Sequence, residues 1–301
     1  MKRFIKPILN KMPYIRDLLR QIESQGAFPA GHYYSPIPDK DEVVAYNNSR
    51  KPQLEELPGI RINNDQQFRI LNQYARYYED LPFPEKQKQQ SRYYYDNSFF
   101  LYSDAIFLYS FLRMHKPRRI IEIGSGFSSA VFLDTIDRIY SEPPDITFIE
   151  PDPVRLKQLL HSKEDMHFRV IEGKIQDIKF DIFSSLGAGD LLFIDSSHVV
   201  KCGSDLHILF NDILPRLSDR VFVHFHDIFY PFDYPPEWLE QGRYWNENYF
   251  LRAFLSYNAE WEIYFFNSYV ALAFNDFIRE KMPLCIKDSG GSIYIQRKRY
   301  S

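Results

Sequence analysis

The sequence predicts an α/β fold built on a mostly parallel sheet. Two observations carry this. From residue 118 onward, short apolar strands alternate with helical stretches. The first of these strands also runs straight into a glycine turn and then a helix, as in nucleotide-binding sheets. Strands that read as near-continuous apolar runs belong to a sheet covered on both faces.

The elements follow in order. Arg118–Ile123 is the first strand and Ser128–Ile139 its helix. Ile146–Glu150 is a strand and Pro153–Leu160 a helix. Phe168–Glu172 and Leu191–Asp195 are strands, and Val199–Leu214 reads as one long helix. Arg220–His226 is a strand, and a helix follows near 245–257. Trp261–Phe266 and Ser292–Gln296 close the chain, with a helix between them. Residues 1–115 lack this rhythm, so the chain divides into an N-terminal helical and extended cap region, 1–115, and a sheet domain, 116–301. Within the cap region, Ile5, Ile8, Leu9, Met12, Ile15, Leu19 and Ile22 keep helical spacing among Lys and Arg. Such a helix packs on its own domain or on a partner subunit, which makes this region the expected route to a homo-oligomer. Residues 26–60, rich in proline, read as an extended arm. Helices are expected over 64–80 and 102–115.

Composition narrows the function classes. The chain has 301 residues, 45% hydrophobic and 26% charged, which excludes a disordered, collagenous or coiled-coil protein. Its net charge of −3 gives no basic surface for nucleic acid. Two cysteines, Cys202 and Cys285, cannot form a disulfide framework and suit a reducing compartment. No apolar run approaches the ~20 residues that span a bilayer. Together these give a cytoplasmic expectation. The 26 Phe and 22 Tyr predict a large aromatic core.

The chemistry concentrates at strand ends. Glu122-Ile123-Gly124-Ser125-Gly126 closes the first strand, and the glycines allow a ligand close approach to backbone. Ser129 stands where a dinucleotide fingerprint would place its third glycine. Glu150 ends the second strand, where a carboxylate can take both ribose hydroxyls of an adenosine ligand. On these residues the sequence resembles the class I S-adenosylmethionine-dependent methyltransferases over roughly 118–297. The resemblance implies a Rossmann-like sheet with an antiparallel last strand and S-adenosylmethionine as cofactor. It also implies that Glu122 faces the cofactor's methionine part, that Gly124, Ser125 and Gly126 cradle it, and that Ile175 and Gln176 meet adenine.

A second constellation lies at Ile194-Asp195-Ser196-Ser197-His198 and His224-Phe225-His226-Asp227. If the two strands are neighbours, Asp195 and Asp227 emerge side by side and repel unless a proton or cation lies between them. This resembles the metal-dependent O-methyltransferases of the catechol and natural-product sugar type. The resemblance implies a divalent ion at Asp195 and Asp227, with His226 as third ligand and His198 as general base. A histidine at 226, in place of an oxygen ligand, opens the site to manganese, iron or zinc as well as magnesium, or to no metal. On a regular strand His224 and His226 share one face and Asp227 takes the other. With the helix starting near Val199 and capped by Ser196 or Ser197, the helix dipole keeps His198 neutral. The expected activity is methyl transfer to a hydroxyl of a small molecule such as a sugar, glycoside or phenol. The aromatic arm Gly31–Asp39 and the segment 228–249 are expected to cover the site. The alternatives are a nicotinamide-dependent oxidoreductase and a non-enzymatic cofactor-binding protein.

Overall fold

A computed structural model describes residues 13–15, 26–50, 53–54, 56–88, 91–160 and 167–298. The expected N-terminal amphipathic helix lies largely outside them. Two compact units result: residues 1–52 with 235–244, and residues 53–234 with 245–301.

The smaller unit holds helix α1 (Lys40–Ser49) and helix α7 (Pro236–Glu240). Helix α1 falls inside the stretch expected to be an extended arm. Asp39 and Glu42 form a reciprocal capping box at its start. Only Val43 along it is buried, so no apolar period marked it in the sequence. Residues 28–34 form an exposed aromatic group in which the His32 ring stacks on Phe28 and Tyr33.

The larger unit begins with helix α2 (Asn64–Tyr74), extended by a 3₁₀ stretch to Asp80, and helix α3 (Tyr102–His115). Then come β1 (Arg119–Ile123), α4 (Phe127–Ile139), β2 (Asp145–Ile149), α5 (Val154–Leu159), β3 (Phe168–Ile171) and β4 (Leu191–Ile194). Helix α6 starts at Asp205, and its last turns are π and 3₁₀ in character, ending at Arg216. After β5 (Phe222–His226) follow α8 (Glu247–Leu255), β6 (Trp261–Phe266), α9 (Asn267–Ala273), α10 (Asn275–Lys281) and β7 (Ser292–Arg297).

The strands form one sheet in the order β3-β2-β1-β4-β5-β7-β6. The first five pair in parallel, and β7 runs antiparallel between β5 and β6. Every residue of β4 and β5 is buried, as a doubly covered sheet demands. Chain order reverses between β1 and β4. In sheets wound this way, ligands lie in the crevice beyond the carboxyl ends of the strands at such a reversal.

One expected element is displaced. Residues 199–204 are loop, and α6 begins at Asp205, with Ser204 rather than Ser196 or Ser197 accepting the cap hydrogen bond from His207 N–H.

Candidate active site

The turn after β1 is held from both sides. Gly124 N–H donates to the Ile149 carbonyl at 3.0 Å, and Asp195 N–H donates to the Ile123 carbonyl at 2.8 Å. Gly124 has φ of +81°, and a Cβ there would fall 1.6 Å from the Asp195 carbonyl oxygen. Only glycine fits where β1 and β4 come this close. Glu122 supports the turn from beneath. It is fully buried, and its two oxygens accept from the Ser128 and Ser129 hydroxyls at 2.5 Å each. Ser129 Oγ in turn accepts from Gly126 N–H at 3.0 Å. Burial pushes the Glu122 carboxyl up to about 8, against those hydrogen bonds. Glu122 is not among the residues that line the adjoining cavity; its hydrogen bonds here go to the helix start beneath the turn.

That cavity measures about 550 Å³ at the carboxyl ends of β1, β2 and β4. Gly124, Glu150, Ile175, Gln176 and Asp195 line it. Glu150 is already ordered: its oxygens accept from Ser125 N–H and Asp152 N–H at 2.8 Å each. Ile175 is buried, whereas the Gln176 amide donates to the Gly203 carbonyl at 3.0 Å, tying the loop after β4 to the loop after β3. A larger cleft of about 680 Å³, around Leu57, Tyr257 and Trp261, holds none of the predicted site residues.

Beside the cavity lies a cluster of buried imidazoles and buried or half-buried acids. His198 Nε2 is 3.4 Å from Asp195 Oδ1 and 3.5 Å from Asp227 Oδ2. His226 Nδ1 is 3.5 Å from Asp195 Oδ1 and 3.6 Å from Asp227 Oδ1. The two carboxylates thus sit between two rings. A regular strand would have sent Asp227 to the opposite face from His226. The strand ends at His226, and Asp227 takes φ of 58°, which turns its carboxylate back toward that ring.

Two acids that the sequence did not single out complete the cluster. Glu247 Oε2 lies 2.8 Å from His198 Nδ1, and Asp104 Oδ2 lies 3.6 Å from His226 Nε2. The start of α8 positions most of this. Asn246 exchanges hydrogen bonds with Val200, the Asn246 and Glu247 amides donate to the His198 carbonyl, and Asn248 donates to the Asp227 carbonyl at 2.8 Å. Trp245 packs its ring 4.5 Å from that of His198.

This environment favours the charged form of His198, against the expectation of a neutral ring. Burial opposes the charged ring, but Asp195, Glu247 and Asp227 outweigh it and push the imidazole up to about 10. The helix dipole that was to keep it neutral is absent, because α6 begins seven residues later. Burial also pushes the Asp195 carboxyl up, yet His226 and His198 hold it well below the usual carboxylate range. Burial raises Asp227 and Glu247.

His224 is buried and stacks 3.8 Å from Phe193, away from this chemistry. His115 bonds the Tyr264 hydroxyl at 2.7 Å. His161 lies outside the described residues.

Residues 121–228 match the methyltransferase domain family, the stretch that contains the glycine turn, Glu150 and both strand-end aspartates. The chain carries a methyltransferase domain over this stretch. An uncharacterised protein of Archaeoglobus fulgidus is 32% identical to this methyltransferase over 166 residues, 53% of this chain and 73% of that one. Among solved structures, a Podospora anserina methyltransferase with bound S-adenosylhomocysteine is 16% identical. It covers 87% of this chain and 98% of its own, with a TM-score of 0.42. An O-methyltransferase of Streptomyces achromogenes, solved with S-adenosylmethionine, is 13% identical over 86% of this chain and 96% of its own, with a TM-score of 0.41. The match supports the methyltransferase expectation over the oxidoreductase one. Among the described residues, no helix is long and apolar enough to cross a membrane.

Proposed function

We propose that this methyltransferase acts on a hydroxyl of a small-molecule acceptor, with a divalent cation at the acid–imidazole cluster. The position of Asp195 carries the reading. It lines the cofactor cavity and also belongs, with His198 and Asp227, to a group whose ligand atoms all lie within 4.8 Å of one another. The cofactor site and the cluster therefore share a wall.

The donor set fits a cation. His198 has its other nitrogen on a buried carboxylate, as a ligating imidazole requires. The carboxylates of Asp104, Asp195, Asp227 and Glu247 outnumber the imidazoles of His198 and His226, so the cluster is short of positive charge. Asp195 and Asp227 would hold the ion together with His198, which would take the place expected of His226 and would have to give up its Nε2 proton to ligate; two oxygens with one nitrogen suit manganese, iron or zinc as well as magnesium. When bound, it supplies positive charge that lowers the pKa of an acceptor hydroxyl.

In this reading Glu150 takes the ribose hydroxyls and the 124–126 turn approaches the methionine portion. Ile175 and Gln176 form the adenine end. Transfer breaks the carbon–sulfur bond of the sulfonium and forms a carbon–oxygen bond. Sulfur leaves as the neutral thioether of S-adenosylhomocysteine, and the hydroxyl proton passes to the acid–imidazole cluster. The test is release of S-adenosylhomocysteine across a panel of sugars, glycosides and phenols, with chelator and with added magnesium or manganese. Turnover of a hydroxylated acceptor that falls with chelator and returns with metal supports the reading. Turnover that ignores chelator removes the cation, and methylation confined to nitrogen or carbon acceptors removes the hydroxyl.

A further inference from the structure

We infer that Gln176 is a positioning residue: its side chain clasps the loop after β4 and so holds one wall of the cofactor cavity in place. The inference rests on the reading of that cavity as the S-adenosylmethionine site. The floor of the cavity is the ends of β1 and β2, with Ile123, Gly124, Ile149 and Glu150. One wall is the loop after β3, residues 173–176, and the other is the loop after β4, which contributes Lys201, Gly203 and Ser204. Strands β3 and β4 are not neighbours. β2 and β1 lie between them, so their ends are about 14 Å apart at three strand spacings. The two loops therefore lean toward each other over the floor. Among the described residues one hydrogen bond joins them, from the Gln176 amide to the Gly203 carbonyl at 3.0 Å.

The two ends of that bond are held differently. Gln176 stands in a 3₁₀ turn, Ile175–Asp177, whose Ile175 side chain is buried. Asp177 N–H and Ile178 N–H close the turn on the Lys174 and Ile175 carbonyls at 2.9 and 3.1 Å. The facing loop is anchored at its flanks. Val200 exchanges hydrogen bonds with Asn246. The Ser204 amide donates to the Lys201 carbonyl, while its hydroxyl accepts from Lys201 N–H. Between these anchors stand Cys202 and Gly203, both exposed. A Cβ on Gly203 would meet nothing within 4 Å, so the tip is not packed on that side. Among the described residues, the Gln176 amide is the one hydrogen-bond partner that Cys202 and Gly203 have. Without that donor the tip is tethered at its flanks alone, and a ligand has to order the wall as it binds, which weakens binding. Gln176 thus has a role other than the adenine contact expected of it. Its amide is engaged with Gly203, and it acts on the cofactor through the loop.

The experiment compares wild type, Gln176→Met and Gln176→Glu, each full-length and free of cofactor. Methionine keeps the length of the side chain and cannot donate; glutamate keeps the length and, ionised, cannot donate either. Gln176 is exposed, so neither change opens a cavity in the core, and should one variant fail to fold the other decides. Backbone ¹⁵N relaxation reads the tip directly. In the wild type Cys202 and Gly203 should show the order parameters of rigid backbone, about 0.85, and in the variants these should fall below about 0.6. Calorimetric affinity for S-adenosylhomocysteine should fall about threefold to tenfold, the range of one hydrogen bond. A tip already mobile in the wild type overturns the inference. So does weaker binding by a variant whose tip stays rigid, because Gln176 would then touch the cofactor itself. A freed tip with unchanged affinity overturns it too, since the loop would not be a wall of the cofactor site. If the wild type binds no S-adenosylhomocysteine, the reading of the cavity fails, while the relaxation data still decide whether Gln176 clasps the loop.

Discussion

Replacing Gly124 with alanine tests the join between the glycine turn and the acid–imidazole cluster. The new Cβ must move from 1.6 Å to at least 3.0 Å from the Asp195 carbonyl oxygen, and that oxygen is backbone, not a side-chain tip that can swing away. The ends of β1 and β4 must therefore part. Alanine also has to adopt φ near +81°, which costs about 1–2 kcal/mol for a residue with a Cβ. Parting the strands weakens the Asp195 N–H to Ile123 and Gly124 N–H to Ile149 bonds, each worth roughly 1 kcal/mol net. The sum is about 3–4 kcal/mol, a large share of the roughly 5–15 kcal/mol that holds a typical domain. Urea unfolding at constant m should read this loss, and calorimetry with S-adenosylhomocysteine should show affinity reduced tenfold or more, about 1.4 kcal/mol. Gly203→Ala is the control. It too has positive φ, 69°, but nothing lies within 4 Å of its would-be Cβ, so only the conformational cost of about 1–2 kcal/mol applies. A Gly124→Ala protein that loses no more than the Gly203→Ala protein, with unchanged affinity, would refute the argument that the turn is pinned against Asp195.

Further outcomes are expected at the other site residues. Glu150→Ala should weaken S-adenosylmethionine binding by about 1.5–3 kcal/mol through lost hydrogen bonds to a charged group; unchanged calorimetric affinity in the folded variant would remove Glu150 from the ribose site. Manganese should bind the wild type by electron paramagnetic resonance titration and bind Asp195→Asn at least tenfold more weakly; equal binding would place the ion elsewhere. Glu122 has a folded pKa near 8 against an ordinary 4.5, so the folded state keeps a proton that the unfolded state releases. Its contribution is therefore lost as pH rises from about 4.5 to 8, by an amount on the order of 3–5 kcal/mol. The stability of the wild type relative to Glu122→Gln should fall across that window and level off above it; parallel pH–stability curves would show that Glu122 is ionised throughout.

The parts of this protein that were legible in the sequence are those fixed by local pattern. The strands announce themselves as apolar runs, and β1 to β5 lie within one or two residues of their expected places. Glu150 and Asp195 were singled out because a strand end is a fixed address in a doubly wound sheet, and both line the cavity. What failed did so where local signals were degenerate. Ser196, Ser197 and Ser204 are all good helix caps, and the one signal that separates them is Gly203, a poor helix former directly before Ser204, which was not weighed against the apolar run. The dipole argument for His198 fell with that boundary.

Glu247 and Asp104 were illegible for a different reason: each meets its imidazole across a long stretch of chain, from helices with no local motif. Their contribution is tied to the backbone of the residues they serve. His198 and Asp227 both sit at positive φ, 59° and 58°, a conformation that costs a non-glycine residue on the order of 1 kcal/mol and that neither would choose locally. It persists because the start of α8 holds both carbonyls, the Asn246 and Glu247 amides on His198 and the Asn248 side chain on Asp227. In each case the left-handed turn brings the side chain into the cluster. The strand ends supply the reactive residue types, while the consecutive residues 246–248 impose the conformation that makes them one site. Asn248→Ala, which removes the side chain that holds the Asp227 carbonyl, should therefore disturb the cluster although Asn248 does not line the cavity at the strand ends.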